Sequence, residues 1–392
     1  MPQTPSSLYP PTIPPKSNGL VRVPGSSLTS TDKFLVAASS LTIVGAVAWV
    51  PLFYAWAYKK WKAIPKHFTK KRALYGALLM SIAGLAITGP HRSKRFGEYL
   101  GVRKWKLWKS WLRFIAFEVV QSVGGNDATN QMMSEENSNS GSNSSYINEN
   151  VVSASSETFD MKNDQAILAV IPHGIFPFAL AFATLSEEGE RAFGKFRPVV
   201  ATATKLVPIL NTLISWLHPV DASKSNVDLA LSQGARIGMS PGGIAEMFEG
   251  FPKPMTHPDD ECAILNSRKG FIRMAVKHNV PVVPIYCFGS TKMFKRLQFS
   301  FLEYLSKMLR VSICLFFGRC GLPIPFRQRL LYVMGEPIFP PAITEGNSTS
   351  ESSEEFSRRV NEMHKLFCDE LVRLFDQYKD SYGWGRKTMR LL

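Results

Sequence analysis

The chain has 392 residues, of which 45% are hydrophobic and 20% are charged, and its net charge at pH 7 is +15. This length and composition exclude a disordered chain and allow one sizeable folded core with accessory segments. The positive charge favours an anionic partner, which is a membrane surface, a phosphorylated substrate or nucleic acid. The five cysteines show no Cys-x-x-Cys spacing, so the sequence predicts no metal site.

The first segments predict a disordered tail followed by a membrane-embedded pair. Residues 1–33 are rich in Pro, Ser and Thr, which is typical of a disordered tail. Residues 34–58 carry no charge and are long enough to cross a hydrocarbon core of about 30 Å as a helix. A second uncharged stretch, 73–90, is marginal for a full span. We therefore expect residues 34–90 to be membrane-embedded, and the side on which the basic loop 59–72 lies stays open.

A basic and aromatic segment follows at 91–121, and a polar insert at 122–160. The first segment interleaves Trp105, Trp108 and Trp111 with lysines and arginines, a pattern that favours a helix lying on an anionic membrane surface. The second is rich in Asn and Ser with few apolar residues, so it is predicted to be disordered.

Residues 161–392 are predicted to form an α/β catalytic domain. Apolar strand candidates alternate there with helix-length segments, a pattern typical of a mostly parallel sheet flanked by helices. A long helix is expected at 354–378, where apolar residues recur at helical spacing. The predicted strands are 166–171, 198–203, 235–239, 280–287 and 330–334.

His173 is the first candidate for chemistry, because it follows the apolar run 166–171 in a Pro172-His173-Gly174 turn. Open α/β sheets bind ligands at the carboxyl ends of their strands, and an ordinary imidazole pKa near ~6.5 suits a general base. A lone histidine at a strand end is more often structural. His218, His257 and His278 have no metal-ligand spacing and are interpreted as structural or surface residues.

The stretch Ser240-Pro241-Gly242-Gly243 also follows an apolar run and precedes Glu246. Its glycines allow backbone N–H groups to approach an oxyanion or a phosphate, and Glu246 is placed to hydrogen-bond an imidazole. An ordinary strand-to-helix turn is the alternative. The run 238–242 also matches the Gly-x-Ser-x-Gly elbow of serine hydrolases, but Pro241 has no N–H for an oxyanion hole.

Cations cluster before the predicted strand 280–287. Arg268, Lys269 and Arg273 stand near a predicted helix start, where they suit a phosphate-bearing substrate, and Lys205 follows the predicted strand 198–203. Charge runs of this kind are also common on surfaces.

Taken together, the motifs resemble the type-2 diacylglycerol acyltransferase family. The order and spacing of five blocks carry this resemblance, which extends over about residues 108–382. The blocks are Pro172-His173-Gly174; 197–221; Pro241-Gly242-Gly243 with Glu246; 268–271 through 283–289; and Gly335-Glu336-Pro337-Ile338.

This sequence departs from the family at three positions. The His-Pro-His-Gly signature has Ile171 in its first position, so only His173 corresponds to the catalytic histidine. The wider glycerolipid acyltransferase group has an Asp five positions after its histidine, where this chain has Phe178, so Glu246 is the candidate carboxylate. The family's Phe-Gly-Glu or Phe-Gly-Gln is Phe288-Gly289-Ser290 here.

The resemblance implies transfer of an acyl chain from acyl-CoA to diacylglycerol, forming triacylglycerol at the endoplasmic reticulum membrane and lipid droplets, with the catalytic domain facing the cytosol. Acyl-CoA is then a substrate, and no cofactor or metal is implied. Diacylglycerol and membrane lipids are the expected partners, nucleic acid is not, and whether the chain forms a homo-oligomer stays open. His173 and Glu246 would be catalytic, and the substrate-binding candidates are Gly174, Lys205, Gly242, Gly243, Arg268 and Lys269.

The sequence leaves other functions open. The acceptor could instead be monoacylglycerol or a long-chain alcohol, which would give wax esters. A non-catalytic scaffold at membranes or lipid droplets is a further alternative, because the first signature histidine is missing.

Overall fold

The computed structural model describes residues 17–25, 28–88, 98–123, 159–202, 204, 208–309, 313–343 and 352–392. Eight strands in this part of the chain form one sheet in the order β1-β2-β11-β8-β3-β6-β4-β5. Strand β3 runs parallel to both of its neighbours, β6 and β8, whereas β11 is antiparallel to β8 and β1 is antiparallel to β2. The strands are β1 Ser17–Arg22, β2 Glu118–Ser122, β3 Ile167–Ile171, β4 Arg197–Val200, β5 Val220–Asp221, β6 Ile237–Met239, β7 Asp260–Ala263, β8 Val282–Phe288, β9 Lys295–Arg296, β10 Phe316–Phe317, β11 Leu331–Met334 and β12 Thr388–Leu391.

Helices cover both faces of the sheet. Strand β3 explains why, since all five of its side chains are buried and they alternate between two apolar clusters. The first cluster includes residues of α8, α10 and α12, and the second includes residues of α1, α4 and α5. The helices are α1 Ser30–Ser39, α2 Ala46–Ala63, α3 Thr69–Thr88, α4 Lys106–Phe114, α5 Phe178–Leu185, α6 Glu187–Phe193, α7 Pro208–Ser215, α8 Lys224–Ser232, α9 Gly243–Glu246, α10 Gly270–His278, α11 Ser300–Leu309 and α12 Ser353–Tyr382.

The predicted α/β class is confirmed, since one large sheet is flanked by helices, and this sheet also includes β1 and β2, which precede residue 161. The five predicted strands correspond to β3, β4, β6, β8 and β11, with ends shifted by up to three residues. The predicted C-terminal helix is α12, which begins after a Ser352 cap and ends at Gly383, where φ is +89°. The predicted insert at 122–160 lies outside the described residues apart from its two ends.

The prediction of a disordered tail over 1–33 is wrong for its second half. Residues 17–22 form β1, which pairs antiparallel with β2 at the edge of the sheet. Helix α1 then begins at Ser30 with a capping box between Thr29 and Asp32. A polar edge strand gains its stability from backbone pairing, so its composition resembles that of a disordered tail.

The prediction that Trp108 and Trp111 lie on a membrane surface is also wrong. Trp108 and Trp111 are each only 3% exposed, and the Trp111 ring centroid lies 5.3 Å from that of Phe182. Trp111 Nε1 donates to Ser39 Oγ of α1 at 2.9 Å. Helix α4 is amphipathic as expected, but its apolar face packs against the protein core.

The uncharged stretch 34–58 is not one continuous helix. It is interrupted by a π-helical turn, Ser40–Val44, between α1 and α2. In the described part of the chain, no helix has by itself the length and apolar composition needed to cross a bilayer. Ser30–Val44 and Ala48–Ala63 meet that criterion only as a pair, which is bent by 60°.

Candidate active site

His173 lies at the carboxyl end of β3, the strand between β6 and β8. The residue is half-buried, and its Nδ1 lies 2.8 Å from the Gly174 carbonyl oxygen. A carbonyl oxygen only accepts, so Nδ1 carries the proton and the neutral ring has its lone pair on Nε2. Burial lowers the pKa of His173, although the bond to Gly174 opposes this. The imidazole is therefore neutral near pH 7 with Nε2 available as a base.

Glu246 joins three loops at this end of the sheet. It ends the short helix α9, and its carboxylate is buried. Oε2 accepts the backbone N–H of His173 at 2.6 Å, and Oε1 accepts the backbone N–H of Ile264 at 3.1 Å. Burial raises the pKa of Glu246 to about 7, while these two hydrogen bonds and the charge of Arg268 act in the opposite direction.

The expected hydrogen bond between Glu246 and the imidazole is therefore not present. Both carboxylate oxygens accept from main-chain amides, and the Nδ1 proton of His173 goes to Gly174. Glu246 is a positioning residue, because it fixes the backbone that carries His173. The sequence predicted that the two residues would meet, but it could not predict which atoms would bond.

The two glycines after β6, Gly242 and Gly243, have different structural roles. A Cβ on Gly242 would lie 2.1 Å from Oε1 of Glu246, so only glycine leaves room for the buried carboxylate. Gly243 has φ +57°, and its N–H donates to the Ser240 carbonyl at 3.1 Å. The amide of Gly243 is thus already used within the turn, which corrects its expected role as an oxyanion donor.

We expect Gly242→Ala to damage the site more than Gly243→Ala. At Gly242 the new methyl group would displace the carboxylate of Glu246 and leave a buried amide unpaired. An unpaired buried amide costs about 1–3 kcal/mol of stability. At Gly243 no atom lies within 4 Å of the new Cβ, so only the left-handed backbone strain of about 1–2 kcal/mol applies. Transfer rate and thermal unfolding of both variants test this. Equal rate losses in the two variants would show that the close approach of Gly242 to Glu246 has no role.

Ser290 is a residue of the site whose role sequence reasoning missed. It is buried after β8, and its Oγ donates to the Cys287 carbonyl at 3.1 Å and reaches the Pro172 carbonyl at 3.4 Å. Gly174 packs on the same loop, since a Cβ there would lie 3.1 Å from the Ser290 carbonyl oxygen. Its position after Phe288-Gly289 at a strand end was the only signal in the sequence.

The predicted cations do not all converge on the site. Arg268 is exposed and close enough for its charge to lower the pKa of Glu246. Lys269 instead donates from Nζ to Asn361 of α12 at 2.8 Å, and Arg273 is exposed on α10. Lys205 lies outside the described residues.

The serine hydrolase alternative receives no support from Ser240. Its Oγ is buried and, among the described residues, has no hydrogen-bonding partner, so no base is placed to activate it.

His278 is a structural residue, as predicted. It lies at the end of α10, and its Nε2 is 2.7 Å from Oδ1 of Asp228.

The chain is similar to several known proteins. Residues 142–392 match the family model described as diacylglycerol acyltransferase. Acyl-CoA wax alcohol acyltransferase 2 of Mus musculus is 28% identical over 315 residues, which cover 75% of this chain and 78% of that protein. Diacylglycerol O-acyltransferase 2 of Homo sapiens is 28% identical over 54% of this chain and 56% of its own length.

The chain is also similar to a further human protein and to a solved structure. 2-acylglycerol O-acyltransferase 3 of Homo sapiens is 29% identical over 57% of this chain and 67% of that protein. A crystal structure of the 1-acyl-sn-glycerophosphate acyltransferase PlsC from Thermotoga maritima aligns with a TM-score of 0.34 at 14% identity. The alignment covers 87% of this chain and 97% of that one.

Proposed function

Because this chain belongs to the diacylglycerol acyltransferase family, we propose that it transfers a fatty acyl chain from acyl-CoA to the free hydroxyl of diacylglycerol and so forms triacylglycerol. The observation that carries the proposal is the Nε2 lone pair of His173 at the carboxyl end of β3. A neutral imidazole held in this tautomer can remove the proton from an alcohol.

In the proposed reaction, Nε2 of His173 takes the proton of the acceptor hydroxyl as its oxygen attacks the thioester carbonyl. The resulting tetrahedral intermediate collapses, the C–S bond breaks, and the imidazolium returns the proton to the leaving thiolate of CoA. The acyl chain thus passes directly to the acceptor, and the reaction needs no acyl-enzyme, metal or cofactor.

Two groups of the site suit the charges that develop. The N–H of Gly242 has no partner among the described residues and lies in the loop beside Glu246, where it can donate to the oxyanion. The exposed guanidinium of Arg268 suits a phosphate of CoA. Lys269 would have to release Asn361 to join it, and a contribution from Lys205 stays a prediction.

We place this activity at the endoplasmic reticulum membrane and lipid droplets, with the site on the cytosolic side. The bent pair of apolar helices between β1 and β2 supports membrane attachment. Diacylglycerol and acyl chains dissolve in the bilayer, so attachment brings the site to its acceptor.

A long-chain alcohol is the second candidate acceptor, because wax alcohol acyltransferase 2 aligns over more of this chain than diacylglycerol acyltransferase 2 does. The purified chain should be incubated in vesicles with labelled oleoyl-CoA and equal amounts of diolein, monoolein and hexadecanol. We expect most label in triacylglycerol, and none with His173→Ala. A majority in wax ester or in diacylglycerol would reassign the acceptor, and no labelled ester at all would favour the scaffold alternative.

A further inference from the structure

The segment between β8 and β11, residues 290–328, presents an apolar face that the protein does not cover. Helix α11 lies in this segment, and on its outer side Phe301, Tyr304 and Met308 are 70%, 65% and 57% exposed. They recur at helical spacing, so they form one stripe. Three exposed apolar side chains line a crevice together with residues of the helix, and we call the whole set the α11 face: Leu297, Phe299, Phe301, Tyr304, Met308 and Leu315.

A contiguous exposed apolar surface of this kind marks an interaction site. The charge of the segment indicates the partner. Residues 290–328 contain one acidic residue, Glu303, and seven basic ones: Lys292, Lys295, Arg296, Lys307, Arg310, Arg319 and Arg327. Of the described cations, Lys295 and Arg319 are exposed. Exposed apolar side chains in a segment with this positive balance suit a lipid surface that carries anionic headgroups. A second copy of the chain would bring the same cations together, which disfavours self-association through this face.

The segment that carries the α11 face contacts the N-terminal helices. Ser40 Oγ, in the π-helical turn between α1 and α2, donates to the Pro323 carbonyl at the end of the segment. A Cβ on Gly45 would lie 3.3 Å from Pro323 Cγ, so the chain packs closely there. Helix α2 leaves this contact with Leu52 and Trp56 largely exposed. The segment 290–328 and the N-terminal helices, each with exposed apolar side chains, therefore meet at this contact.

The same segment is also tied to the loop that follows Glu246. The Arg296 guanidinium donates to the carbonyls of Met247 and Gly250, at 2.8 Å and 2.9 Å. A small crevice lined mainly by apolar side chains lies where the segment meets this loop, and Phe248, Phe299 and Leu315 are among its lining residues. A lipid surface held against the α11 face would thus lie next to the loop that positions His173.

We propose that the α11 face docks on a lipid surface, with Phe301, Tyr304 and Met308 inserted among the acyl chains. This deepens the proposed function and rests on it only for the identity of the acceptor. Docking brings a lipid-dissolved acceptor to the carboxyl ends of β3 and β6 without its leaving the apolar phase.

The test uses the full chain in vesicles of phosphatidylcholine and phosphatidylserine, with Cys320, which is exposed, replaced by serine. An environment-sensitive fluorophore is attached at Tyr304→Cys or, in a second variant, Phe301→Cys. The matched control is Leu366→Cys on α12, an exposed apolar position at 48% in the other helical layer. Nitroxide groups on the lipid acyl chains quench only fluorophores that enter the bilayer.

We expect severalfold stronger quenching at 304 and 301 than at 366, and the same result in a His173→Ala background. Equal, weak quenching at all three positions would overturn the proposal. So would a disulfide or excimer between two chains at 304 without quenching, because it would identify a second copy as the occupant. The readout needs no catalysis, so an inactive enzyme that still shows quenching would contradict the proposed function alone.

Discussion

His173→Ala should lower acyl transfer by about 10²–10⁴-fold, the usual contribution of a general base. The loss should appear in kcat, because the substitution removes the lone pair that accepts the hydroxyl proton and leaves the hydrogen bond from the backbone N–H to Glu246 in place. Folding should therefore be preserved, and circular dichroism and thermal unfolding in detergent would verify it.

The control is His278→Ala, which removes an imidazole bonded to Asp228 at the end of α10. It should keep nearly full activity at a modest cost in stability. If His173→Ala were as active as the control, His173 would not be the base.

Glu246→Gln should have the second largest effect, a fall in kcat of roughly 10- to 100-fold. A carboxylate accepts both N–H groups, from His173 and Ile264, whereas an amide turns its own NH₂ towards one of them. One buried donor is then unpaired, which costs about 1–3 kcal/mol and moves the backbone that carries the imidazole. KM for acyl-CoA should change little, because both carboxylate oxygens of Glu246 are bonded to main-chain amides.

The pH profile separates positioning from a simple loss of stability. Glu246 has a pKa of about 7 in the folded protein, against an ordinary 4.5. Only the ionised form accepts both amides, so the wild-type rate should rise as pH passes about 7. In Glu246→Gln this rise should be lost, leaving only the titration of His173, whose pKa burial lowers below its ordinary value.

Stability should change in the opposite direction. Between pH 4.5 and about 7 the folded state keeps the Glu246 proton that the unfolded state has released, so raising the pH through this window destabilises the fold. The raised pKa of Glu246 corresponds to a decrease on the order of 3 kcal/mol in the free energy of unfolding across this pH range. The free energy of unfolding of wild type relative to Glu246→Gln should therefore fall across this range. Parallel pH curves for the two proteins would contradict the raised pKa.

The sequence predicted the parts of the fold that depend on hydrophobic pattern. Strand β3 is a run of buried side chains between turn residues, so its position, and with it that of His173, followed from the pattern. The same reasoning placed Gly242 and Glu246 at the end of β6.

The sequence-based prediction was wrong where one pattern of apolar and charged residues is compatible with two different structures. Helix α4 has the apolar face and cations of an interfacial helix, yet Trp111 packs on Phe182 in the core. Tertiary packing determines whether an apolar helix face contacts lipid or protein, and the composition of the helix does not show which of the two it contacts. The hydrogen-bond partners of Glu246 could not be predicted for another reason. They are the amides of His173 and Ile264, and every residue except proline has such a main-chain amide.

The most direct test is to express the chain in cells that make no triacylglycerol, supply labelled oleate, and separate the neutral lipids made by wild type and His173→Ala. Labelled triacylglycerol in wild-type cells, absent with His173→Ala, is the predicted result. Label in wax ester would move the acceptor to an alcohol. Triacylglycerol formed equally by both proteins, or no labelled ester from either, would contradict His173-dependent acyl transfer.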